Sequence, residues 1–245
     1  MIDYKNILNK TVQDIPPSGI RKFFDVVATM SDAISLGVGE PDFVSPWPIR
    51  EAGIYSLEKG RTYYTANAGL LELREEICRY TNRKYGISYD AKSEVLVTVG
   101  GSEAIDLMIR CVINAGDEVI IPEPCFVCYK PCVEMAGGVP VIIETKEEDG
   151  FRLLPHQLKS AITEKTKLLI LPFPNNPTGG IMSKADLEAI ADVLRATDIM
   201  VLSDEIYGEL RYDEEGHTPF SAIDGMRDRT VVVNGFSKTF AMTGW

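Results

Sequence analysis

Strands and helices alternate along most of this sequence, and the alternation predicts an α/β chain with a mostly parallel sheet covered by helices on both faces. Three observations carry that reading. Short β-branched or aliphatic runs recur at Val95–Val99, Glu118–Ile121, Val139–Ile143, Leu168–Leu171, Met200–Leu202 and Val231–Val233. Between them, apolar residues fall at helical spacing over Glu103–Ile113, Phe126–Ala136, Pro155–Ala161 and Lys184–Leu194, and less regularly around residues 219 to 226. No internal repeat or low-complexity linker interrupts the series, and 245 residues suffice for one large domain with a small annex.

The segments before this series follow a different pattern. Residues 1 to 30 read as an amino-terminal arm and a short helix, punctuated by Pro16, Pro17 and Gly19. A short strand at Ala33–Leu36 runs into GVGEPDF, where glycines and a proline force an irregular turn. That turn either turns backbone N–H groups toward a ligand or simply enters the domain. Pro48–Lys59 reads as a helix stopped by Gly60; RTYYTANAG is then an exposed loop before a long helix, LLELREEICRYTNRKYG. Ile20 and Phe24 read as helix packing, or as apolar residues near a pocket entrance.

Composition excludes several functions. Thirty-six acidic against 25 basic residues give a formal charge of −11, which repels nucleic acid and anionic membrane alike, and no basic patch compensates. The amino terminus lacks a signal peptide's apolar core and no run reaches membrane-spanning length, so a cytoplasmic location is expected. The five cysteines suit reduced thiols better than a disulfide framework. Cys125, Cys128 and Cys132 form CxxCxxxC, but no fourth ligand is evident nearby, and thiols on one face of a helix are a common core choice, so no metal is expected. Two histidines, His156 and His217, give little support to a Ser-His-Asp triad or a multi-histidine metal site.

In an open parallel sheet ligands bind beyond the carboxyl ends of the strands, so the residues just after each strand belong together. Val99 is followed by GGSEA, a turn opening a helix, where N–H groups and the Ser102 hydroxyl suit a phosphate; a helix also wants a serine cap for structural reasons. Ile121 is followed by PEPCF, placing Phe126 either to stack on a flat ring or to join the core. Leu171 is followed by PFPNNPTGG, which offers the amides of Asn175 and Asn176 or makes a rigid turn. Leu202 is followed by SDEIYGE: Asp204 enters at low dielectric and should have a cationic partner, with Tyr207 three residues on. Val233 leads to Lys238 among small residues, where desolvation or a neighbouring cation would make the amine a nucleophile toward aldehydes. An amine, a buried carboxylate, a phenol, an amide, an aromatic ring and an anion cradle on one edge together match pyridoxal 5′-phosphate, with its aldehyde, ring nitrogen, phenolic oxygen, flat ring and phosphate.

GVGEPDF, YTANAGLLELRE, VTVGGSEA, NNPTGG, VLSDEIYGEL and NGFSKTFAMTGW, in this order across residues 15 to 245, resemble the class I/II aminotransferases of pyridoxal-phosphate fold type I. The resemblance implies an amino-terminal arm and part of a small domain over residues 1–45, and a large cofactor-binding domain over 46–245. It implies Lys238 as the Schiff-base lysine, Asp204 as partner of the ring nitrogen, and Tyr207 with Asn176 as partners of the ring oxygen. Phe126 matches a ring-stacking position; Gly101, Ser102 and Ser237 match phosphate-side positions; Gly39 and Asn176 match positions beside the substrate. Tyr64 resembles a tyrosine that reaches the phosphate of a neighbouring subunit, which implies a homodimer. Gly235 stands where some relatives carry a hydroxyl residue.

The implied reaction moves an amino group from an L-amino acid to a 2-oxo acid, with the freed Lys238 amine as general base. Alternatives within reach of the same residues are a carbon–sulfur β-lyase and, in a different class, a non-catalytic aminotransferase-like ligand-binding module. The family pattern continues beyond Trp245 with a phosphate-pairing arginine, a further strand and a small domain. The resemblance therefore implies a truncated, inactive chain, with open strand edges at 95–99 and 231–233.

Overall fold

The computed structural model describes Ile2, residues 6–16 and residues 39–245. The arm helix with Ile20 and Phe24, the strand at Ala33–Leu36 and the first two residues of GVGEPDF lie outside the described residues. Helices α1 (Lys10–Asp14), α2 (Trp47–Glu58) and α3 (Leu71–Tyr85) precede the sheet. Then follow α4 (Gly101–Val112), β1 (Glu118–Glu123), α5 (Tyr129–Met135), β2 (Val139–Glu144), α6 (Pro155–Ala161), β3 (Thr166–Leu171), α7 (Lys184–Leu194), β4 (Met200–Asp204), β5 (Thr230–Val233) and α8 (Phe236–Thr239).

The five strands form one sheet in the order β2-β1-β3-β4-β5, and every pair is parallel. Because side chains alternate across a strand, each central strand feeds two cores. Ile120, Leu169, Leu171 and Val201 pack with Leu187, Ile190 and Leu194 of α7 on one face. Val119, Ile121, Leu168, Ile170 and Leu202 pack with Ile105 and Ile109 of α4 and Val133 of α5 on the other. Burial on both sides is why β1 and β3 read as continuous apolar runs and not as alternating ones. The expected three-layer α/β architecture is thus the observed one. Helix α7 starts at a reciprocal cap: Ser183 Oγ accepts from Asp186 N at 3.2 Å, and Asp186 accepts from Ser183 N at 2.9 Å.

Four expectations need correction. Residues 95–99 are not a strand: Val97 N donates to Ala68 O at 3.1 Å, and Leu96 and Val99 are exposed. An extended run becomes a strand only when another supplies its ladder, and among the described residues none pairs with this one. Helix α5 begins at Tyr129, not Phe126. A start at Phe126 would have asked Pro131 for an N–H it lacks; starting at Tyr129 puts Pro131 in the first turn, where none is needed. That start also leaves Cys125 and Cys128 in the turn before α5, so the three thiols do not share a helix face. Around 219–226 the chain makes two short 3₁₀ turns, Phe220–Ala222 and Arg227–Arg229, separated by Gly225 at φ 73°.

Candidate active site

Parallel strands bring their carboxyl ends to one edge, and the turns after β1, β3, β4 and β5 meet there. Asp204 ends β4 on the α4/α5 face and is nearly out of water, 7% exposed. Tyr129 Oη donates to its Oδ2 at 2.7 Å and Ile206 N to its Oδ1 at 3.2 Å. Among the described residues no lysine, arginine or histidine supplies the cationic partner expected from sequence for this carboxylate. A phenol and an amide hold it instead. Burial pushes the Asp204 carboxyl above the ordinary range, the Tyr129 and Ile206 bonds pull it back, and neighbouring Glu205 raises it again. With neutral donors as its partners among the described residues, this carboxylate has the chemistry to accept a cationic N–H.

Tyr207 sits three residues on, half-buried. Asn176 Nδ2 donates to its hydroxyl oxygen at 3.5 Å, and the Lys238 ammonium lies 5.8 Å from its ring centroid. Burial first and the Asp204 charge second raise the Tyr207 phenol, while the Asn176 bond lowers it. Lys238, in α8, also donates from Nζ to the Gly39 carbonyl, so the GEPDF turn closes over the amine. The two asparagines separate cleanly. Asn175 is buried and holds its own turn, accepting from Thr178 N at 3.2 Å and Thr178 Oγ1 at 2.9 Å; Asn176 is the one that turns to Tyr207.

Phe126 meets Tyr129 edge to face, with centroids 5.9 Å apart, and packs partly against the α4/α5 core. Helix α4 is entered through Gly100 at φ 80°, a conformation that suits glycine. Its cap residue is that glycine. Ser102 therefore serves no cap; its exposed hydroxyl reaches the Cys128 thiol. Gly101 backs onto Val233, where an added Cβ would lie 3.5 Å from Cγ1. At Gly235 a Cβ would come within 2.7 Å of Ile206 Cδ1, so a side chain there would have to move Ile206. Ser237 is half-buried in α8, its carbonyl accepting from Met242 N at 3.1 Å. Tyr64 is fully exposed and has no hydrogen bond or ring contact with these residues. Among the described residues no cluster of three or more His, Cys, Asp or Glu side chains could hold a metal, and no helix is long and apolar enough to cross a membrane.

Direct contacts thus join Gly39, Asn176, Tyr207 and Lys238, and Asp204 joins Phe126 through Tyr129. Sequence reasoning missed Tyr129, the main partner of Asp204; its signal was a hydroxylated aromatic three residues after Phe126. It also missed Glu205, buried beside Asp204 and bonded to His217.

The model of the family "Aminotransferase class I and II" matches residues 31–245. The chain belongs to the class I and II aminotransferases. Among proteins of related sequence, YugH of Bacillus subtilis (strain 168) is 56% identical over 238 residues, covering 97% of this chain and 61% of its own length. The aspartate aminotransferase of Pyrococcus abyssi (strain GE5 / Orsay) is 48% identical over 231 residues, covering 94% and 59%. Among solved structures, the aspartate aminotransferase from Thermus thermophilus with maleate superposes with a TM-score of 0.91 at 39% identity, covering 97% of this chain and 62% of that one. The chain therefore spans about 60% of the length of these aminotransferases.

Proposed function

We propose that this chain binds pyridoxal 5′-phosphate and belongs to an aminotransferase that moves an amino group between an L-amino acid and a 2-oxo acid. One observation carries the reading furthest: a buried carboxylate held, among the described residues, by a phenol and an amide, on the same sheet edge as an amine that faces a tyrosine–asparagine pair. When bound, the cofactor supplies an aldehyde for an amine and a cationic ring that accepts an electron pair. Asp204 would keep the ring nitrogen protonated, and Tyr129 would fix which carboxylate oxygen points to it. Tyr207 and Asn176 would hold the ring oxygen, and Phe126 would cover the ring face.

The N–H groups of Gly101 and Ser102, with the Ser102 and Ser237 hydroxyls, would receive the phosphate at the start of α4. Lys238 would carry the cofactor by its Nζ and later move a proton at that atom. Gly39, whose carbonyl already meets Lys238, would lie beside the substrate. The exposed Tyr64 suits a residue that completes the site of a second copy, so the reading includes a homodimer. It places residues 46–245 as the large domain, residues 1–45 as arm and part of a small domain, and the protein in the cytoplasm. No contact favours the β-lyase or the non-catalytic module.

The test is to add pyridoxal phosphate to the purified chain, reduce with borohydride, and locate the fixed cofactor by peptide mass spectrometry. Label on Lys238, reduced in Asp204→Asn, is the expected result. Label spread over surface lysines, or none, would overturn the reading.

A further inference from the structure

The residue after Asp204 has no part in the chemistry above, yet it is the more deeply buried of the two acids. Glu205 is 2% exposed and turns to the opposite face of the sheet, where Leu171, Phe173, Met182 and Leu187 line the same small cavity. A carboxylate in that setting needs full compensation. Its Oε1 accepts from Ser203 Oγ at 2.8 Å and from Phe220 N at 3.0 Å, and its Oε2 lies 2.8 Å from His217 Nε2. The other charged group at this cavity, Arg211, is already engaged by Asp213.

His217 is itself placed by packing. A Cβ on Gly208 would lie 3.0 Å from His217 Cδ2, so any other residue there would make the ring give by a few tenths of an ångström. The ring's other neighbour is Tyr85 of α3, edge to face at 6.1 Å. One turn further on, Glu209 is gripped by Tyr80, Lys84 and Tyr85 of the same helix. Residues 205–209 are therefore clamped at both ends, at Glu205 by His217 and at Glu209 by α3. Asp204 stands just outside the first clamp and Tyr207 in the middle. Within the turn, Gly208 N donates to Glu205 O at 2.8 Å, and Glu205 N to Val233 O of β5 at the same distance.

We propose that Glu205 and His217 are a positioning pair: from the far side of the sheet they set the turn that aims Asp204 and Tyr207 at the ligand. The proposal rests on the cofactor reading above for what the turn is aimed at, but its local effect is measurable without cofactor. The variants are His217→Phe, which keeps a ring against Tyr85 and loses the bond to Glu205, and His217→Gln, which keeps an N–H donor.

In the cofactor-free chain, His217→Phe is expected to speed hydrogen exchange at Ile206, Tyr207 and Gly208 about tenfold, with β1 and β3 amides unchanged, and His217→Gln to restore most of the protection. In the cofactor-loaded chain, His217→Phe should weaken pyridoxal phosphate about tenfold and move the pH midpoint of its visible band, while His217→Gln stays near the parent. Unchanged exchange at 206–208, or faster exchange spread evenly over the sheet, would overturn the proposal; the second would mark the pair as ordinary core. If the parent chain takes up no cofactor on Lys238 while the local exchange effect holds, the functional reading falls and the clamp stands.

Discussion

Asp204 carries an ionisable carboxyl with almost no water around it, and this sets what its substitution does. Its folded carboxyl is raised by burial, so between the unfolded and folded values the native state holds the extra proton. Stability from this group is full below the ordinary aspartate range and is lost as pH rises through the folded value. Asp204→Asn removes that loss. The cofactor-free variant should therefore gain stability relative to the parent between pH 4 and pH 8, seen as a Tm difference in its favour that grows with pH. Thermal melts at both pH values check this, and the same variant should lose cofactor uptake. Tyr129→Phe runs the other way: one of two donors to a buried carboxyl goes, and the cofactor-free chain should lose about 1–3 kcal/mol in urea titrations at pH 8. Asp204, Tyr207, Asn176 and Lys238 could be picked out as candidates from sequence because each lies at the end of an apolar strand or a few residues beyond it. Tyr129 could not, since the bond to Asp204 spans 75 positions and only the packing of α5 on the sheet creates it. His217 was hidden for the same reason, its partner lying across a long connection.

Among the elements, the turn after β3 offers the sharpest contrast. Asn175 and Asn176 are chemically identical neighbours, but one closes the turn and the other leaves it. Asn175→Ala should cost about 1 kcal/mol of stability, because Thr178 loses its acceptor in a part-buried turn. Asn176→Ala should leave the urea midpoint almost unmoved and weaken cofactor retention; paired denaturation and binding titrations separate the two. Helices α6 and α7 carry the boundaries expected from sequence, because a proline or a serine cap marks each start and the apolar stripe fixes the length. At α5 such a mark, Pro131, is present and the expected start at Phe126 overlooks it, whereas residues 95–99 carry none. Residues 95–99 have strand-like composition, but a strand is a property of two segments, and composition speaks for only one of them.

For the whole molecule, β5 is an edge of the sheet, with Val231 38% exposed, and the extended 95–99 run exposes Leu96 and Val99 as well. Unpaired backbone beside apolar side chains invites association, and a net charge of −11 opposes it only at long range and low salt. The chain should self-associate with rising salt and concentration, and Val231→Lys should reduce this in sedimentation measurements; equal association in both would remove the edge as its cause. The sheet also explains how two acids joined by one peptide bond come to live apart. Asp204 and Glu205 share a codon neighbourhood but no surroundings, for the strand's two-residue period makes β4 a partition with a different tenant on each side. Variation on the ligand side can then proceed without disturbing the anchorage behind it. A one-residue insertion within β4 would exchange the two tenants and forfeit both at once.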